Sequence, residues 1–155
     1  MQLVDAHWSY YQQEGDIEII SKGDGTYEAK EGTVSELSNE SNINLICSVT
    51  DSLTCYGGKA VQNTAASSAY AFTLYCKNSS GDTLNIRIPD SMAIYPGEEP
   101  GGDPTKPRVT NLDYFKSATS IAVKGALVTY YGRYQIKLCS REGITVTGAD
   151  GSKAN

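Results

Sequence analysis

Only one histidine, His7, occurs in the chain, and it lies within the first dozen residues. With no second imidazole there is no obvious base for a serine or cysteine nucleophile. GxSxG, P-loop and GxGxxG contexts are missing as well. No catalytic residues and no cofactor are therefore expected, and the chain reads as a non-enzyme. Close cysteine pairs are also lacking. Cys47, Cys55, Cys76 and Cys139 are separated by 7, 20 and 62 residues, with no CxxC, which speaks against a metal site. The four read either as two disulfides, in one of three connectivities, or as buried thiols. Disulfides would imply an oxidising compartment. No apolar run approaches the roughly 18 residues of a membrane span, so none is expected. No basic start followed by an apolar stretch is present, so no signal peptide is read at the start. Phenylalanine and tryptophan are scarce, at 2 and 1, against 11 tyrosines. An aromatic supply of that kind suits side chains that keep one end wet.

The acidity is unevenly placed. Residues 1–40 hold nine acids and two bases, a balance of −7, while residues 41–155 hold eleven bases and nine acids, a balance of +2. Together they make the −5 of the chain. Such asymmetry divides the sequence into an acidic N-terminal arm (1–40), a main domain (41–147) and a flexible tail (148–155).

In the arm, His7, Trp8, Tyr10 and Tyr11 form an aromatic cluster expected to dock on the body. Gly23-Asp24-Gly25 marks a β-hairpin within residues 17–31. The polar run 35–42 is the expected boundary. From Ile43, strict alternation through Leu45, Cys47, Val49, Leu53 and Cys55 predicts one long bent strand, relieved by a bulge at Asp51-Ser52 or Gly57-Gly58. Residues 57–69 are small and polar and read as a loop. Tyr70 to Lys77 and Leu84 to Ile88 alternate about the turn Asn78–Asp82, which predicts a hairpin. Residues 96–107 hold four prolines and three glycines and read as a plain surface loop. A short helix is expected over 111–118, capped by Asn111 or Thr110. A second hairpin spans Ser120–Ser140, its tip carrying Tyr130, Tyr131, Gly132 and Arg133. A short strand follows at 144–147.

Val123-Lys124-Gly125 and Tyr131-Gly132-Arg133-Tyr134-Gln135-Ile136, with the 71–88 hairpin, resemble the fourth, fifth and middle strands of OB-fold domains. The likeness covers residues 43–147 and is to the OB-type modules of exported proteins and lipoproteins of gut-type bacteria. It implies an all-β fold: a five-stranded Greek-key barrel with a short helix before the fourth strand. Gly125 would relieve crowding where a coiled strand bends. It also implies a ligand groove on the second and third strands, between the 57–69 loop and the 130–133 tip. The residues placed there are Tyr75, Lys77, Arg87, Tyr130, Tyr131 and Arg133, aromatics interleaved with cations. A binding module of the bacterial cell envelope, periplasmic or at the cell surface, with a protein or glycan partner is the favoured expectation. Single-stranded nucleic acid is the alternative, since flat rings stack bases and cations follow phosphates. A third reading is an assembly protein that pairs through its N-terminal arm.

Overall fold

The computed structural model describes residues 28–65 and 69–155. The aromatic cluster of residues 7–11 and the turn at 23–25 lie outside the described residues. The elements are β1 (Lys30–Gly32), α1 (Val34–Leu37), β2 (Ile46–Val49), β3 (Thr54–Gln62), β4 (Tyr70–Lys77) and β5 (Thr83–Ile88), then α2 (Leu112–Ser117), β6 (Ser120–Tyr130), β7 (Arg133–Lys137) and β8 (Ile144–Thr147). The protein is mostly β-sheet with few helices. Among the described residues, eight strands form one mixed sheet in the order β1-β2-β6-β7-β5-β4-β3, with β8 added against β6. The β1–β2 and β5–β7 pairings are parallel, and the others are antiparallel.

The long strand expected from Ile43 is present as two segments. β2 pairs with β6, β3 pairs with β4, and between them Leu53 bridges Ile121. The break at 50–53 lets the chain change partners, and a register shift between Cys55 and Gly57 supplies the bulge. Leu45, expected inside, is 38% exposed, because Asn44 takes a left-handed φ of 68° and breaks the alternation. β3 also runs farther than expected. Gly57 to Gln62 are strand, so the connection to β4 is only residues 63–69.

Of the three predicted hairpins, the two that lie among the described residues form. β4 and β5 pair from Phe72↔Ile88 to Lys77↔Thr83. Their turn is held by Asn78, whose Nδ2 donates to Asp82 Oδ2 and to Asp51 Oδ2, each at 3.1 Å. β6 and β7 close on two residues, Tyr131 and Gly132, with φ of 48° and 73°. Two positive φ values in a two-residue connection are those of a type I′ turn, whose twist matches that of the strands.

Alternation places Phe72, Leu74 and Cys76, Leu84, Ile86 and Ile88, Ile121, Val123 and Leu127, and Ile136 and Leu138 in one buried core. Each large side chain so buried contributes about 1.5–3 kcal/mol. α2 closes one side of this core. Asn111 caps it by accepting from Asp113 N–H, and Phe115 inserts fully, its ring 5.1 Å edge-on from Phe72.

Three segments read as loosely attached are built in. The polar run at 35–42 begins inside α1, which Thr33 and Glu36 close with a reciprocal capping box, and Val34 and Leu37 are buried in the common core. Residues 96–107 are not a plain surface loop. Gly101 and Gly102 are buried, Gly101 N–H donates to Ile144 O at 2.7 Å, and Gly97 N–H donates to the Tyr114 hydroxyl. The tail is docked rather than frayed. Ala154 is 1% exposed, and its carbonyl accepts from the amides of Thr110 and Asn111. In each case a few backbone hydrogen bonds and one or two buried apolar groups outweigh a polar composition.

Candidate binding face

The parallel pairing of β5 with β7 brings four strands, β3, β4, β5 and β7, side by side. Residues opposite one another in register share a face, so the pairings align the outward side chains in rows. One row runs Lys59, Thr73, Arg87 and Lys137. Arg87 Nη1 donates to Thr73 Oγ1 at 3.1 Å, which holds the guanidinium across the strands. The next row runs Gly57, Tyr75, Asn85, Gln135 and Val128. Gly57 has no side chain, and a Cβ there would lie 3.5 Å from Tyr75 Cδ2, so the Tyr75 ring leans over it. Beyond this row, at one end of the sheet, stand the pairs Lys77↔Thr83 and Tyr130↔Arg133. Gln62↔Tyr70, the last pair of β3 and β4, stands at the opposite end.

The six residues singled out from the sequence therefore divide as follows. Tyr75, Lys77 and Arg87 share the outward face of β4 and β5. Tyr130, Tyr131 and Arg133 form the adjoining hairpin tip. There Tyr130 and Tyr131 meet edge-on at 4.5 Å and are 63% and 89% exposed. Tyr134 is half-buried and packs against the core.

The sequence reading missed Tyr56 and Lys59. The register shift after Cys55 brings Gly57 and Lys59 onto the outer face, and alternation from the buried Cys55 already sets Tyr56 there. Tyr56 is 49% exposed, its ring centroid 6.3 Å from that of Tyr75, and Lys77 Nζ lies 5.8 Å from its ring centre. That spacing is within reach of a cation–π contact. Lys59 was hidden in a stretch read as loop. Strands β3 to β7 carry Lys59, Lys77, Arg87, Lys124, Arg133 and Lys137 and not one aspartate or glutamate. The carboxylates of the described residues lie outside these strands. Asp51, Asp82 and Asp90, for example, serve turns by accepting amide hydrogens from Asn78 and Asn63.

On the core side of Tyr56 and Tyr75 lie two thiols, Cys55 and Cys76, directly opposite in register. Cys55 Sγ donates to Gly57 O at 3.1 Å, and the facing Cys76 thiol holds the Cys55 thiol below its ordinary value. Cys76 is pushed up by Cys55 in turn and by burial. All four cysteines are free thiols, so the two-disulfide framework considered from the sequence is not present.

A cleft of about 400 Å³ opens beside the face, between Asp51, Ser52, Thr54, Lys77 and the Asn78–Gly81 turn. Among the described residues no group of three histidine, cysteine or acidic side chains is placed to hold a metal ion. No helix among them is long and apolar enough to cross a membrane. Comparison with protein-family models, with curated proteins and with solved structures finds no match to this chain.

Proposed function

We propose that the chain is a non-catalytic binding module whose residues 41–147 form a closed OB-type barrel. Two observations support the barrel. β2 and β3 belong to one stretch, joined through the Leu53–Ile121 bridge, so the pairing path that leaves β3 through β4, β5, β7 and β6 returns to it at β2. The β5–β7 pair is parallel, as a Greek-key path of five such strands requires.

The binding surface is the outward face of β3, β4, β5 and β7 with the Tyr130–Arg133 tip. Its partner is a glycan, or a segment of a protein, that bears acidic groups. The observation that carries this is a face holding Tyr56 and Tyr75, the amide of Asn85 and a row of cations, on strands free of carboxylates. Tyrosine rings offer a flat apolar platform with a polar edge, amides read hydroxyls, and cations pair with carboxylate or sulfate. Placement in a bacterial envelope belongs to the same proposal and rests on the OB-module resemblance.

Single-stranded nucleic acid is the second reading, favoured by the Tyr56–Tyr75 pair beside Lys77 and Arg87, since stacked bases and tracked phosphates need those groups. Titration of the full chain at low salt with an acidic oligosaccharide, its neutral counterpart and an oligothymidylate separates the readings. The expected result is binding of the acidic oligosaccharide over the neutral one. Preference for the oligonucleotide transfers the face to nucleic acid. No binding of any of the three overturns both.

A further inference from the structure

We propose that Cys55 and Cys76 are a redox-convertible pair that closes to a cross-strand disulfide, pinning β3 to β4 beneath the Tyr56–Tyr75 surface. Opposite residues of an antiparallel pair have Cα atoms about 4.5–5.5 Å apart, inside the roughly 4.4–6.8 Å that a disulfide spans. Cys55 and Cys76 occupy such opposite positions, and both are buried on the core side of the ribbon. Neither other cysteine has such a partner. Cys47 lies opposite Gly125, and Cys139 is exposed just beyond β7.

The oxidant is a low-molecular-weight disulfide, RSSR. Cys55 is the attacking thiol, because it retains 6% exposure beside the bulge while Cys76 has none. Its thiolate forms a mixed disulfide with one RS group, expelling the other as RS⁻. Cys76 then gives up its proton and attacks the Cys55 sulfur, expelling the second RS⁻. The sum is two protein thiols plus RSSR giving one protein disulfide and two RSH. Since Tyr56 follows Cys55 and Tyr75 precedes Cys76, the bond fixes the backbone on which both rings stand. Neighbouring Gly57, on the far side of the bulge, has no side chain to stiffen it. This inference is independent of what the face binds.

The test is incubation of the native full chain with oxidised glutathione, without denaturant, followed by alkylation in denaturant and peptide mass mapping. The expected result is a Cys55–Cys76 cross-linked peptide, two hydrogens lighter than its reduced parts, with Cys47 alkylated. Dithiothreitol reverses it, and amide exchange in β3 is slower in the oxidised form. The Cys139→Ser chain, altered only at an exposed position, gives the same cross-link and excludes shuffling through Cys139. Full alkylation of Cys55 and Cys76 under these conditions overturns the proposal. So does a cross-link that forms only once the chain has been unfolded.

Discussion

At Gly125 a missing side chain lets two strands approach. A Cβ there would collide with the carbonyl oxygen of Lys137 and come within 3.0 Å of Ile136 Cγ2. Crowding relief at this position was expected from the VKG pattern, and the neighbour that causes it is now identified as the backbone of β7. A backbone carbonyl paired in a sheet cannot step aside as a side chain can. Gly125→Val is expected to destabilise the fold by about 1–3 kcal/mol or more, read as a lower urea midpoint with unchanged m-value. A midpoint equal to that of the parent would mean that β6 and β7 can separate freely there. At Gly57, by contrast, a Cβ would meet the Tyr75 ring at 3.5 Å, an ordinary contact distance.

Among elements, the β6–β7 hairpin binds strain to exposure. Tyr131 sits at φ 48° with its side chain 89% exposed. Left-handed backbone costs a non-glycine residue about 1–2 kcal/mol, and asparagine tolerates it better. Its edge-on ring contact with Tyr130 offsets part of that cost, so Tyr131→Asn is expected to raise stability by less than about 1 kcal/mol. The same variant is expected to weaken binding of the acidic oligosaccharide. Stability gained with binding unchanged would remove the tip from the contact surface. The hairpin itself was legible, because alternation on both sides of Gly132 admits little else. The β3–β4 ribbon was less so. Its distal half, Lys59 to Gln62, is exposed and has no buried face to write a pattern into the sequence. The bulge depends on pairing with β4, so the placement of Gly57 and Lys59 on the outer face could not be counted from their own segment.

For the molecule as a whole, charge is sorted by place. The described strands β3 to β7 are cationic, and the carboxylates sit on turns and connections or in the N-terminal part. A chain of net charge −5 thus presents a positive face. Attraction between exposed charges is screened over about 8–10 Å at ordinary ionic strength. Binding of an acidic ligand is therefore expected to fall steeply with added salt. Arg87→Glu, which reverses the central cation of the row, is expected to abolish most of that salt dependence while stability changes by less than about 1 kcal/mol. Affinity indifferent to salt in the parent chain would locate the binding elsewhere.

Local pattern alone determined β4 to β8, the hairpins of 70–88 and 120–137 and the helix at 112–117, and it narrowed the helix cap to Asn111 or Thr110. Those features depend on period-two alternation, turn chemistry and capping, all of which are carried by neighbouring residues. Tertiary structure alone decided which strands lie side by side, and therefore that Lys59, Arg87 and Lys137 form one row and that Cys55 faces Cys76. It also decided that the proline- and glycine-rich connection and the last residues are held in place. Register, bulges and docked ends are set by partners distant in sequence, and no single segment records its partner.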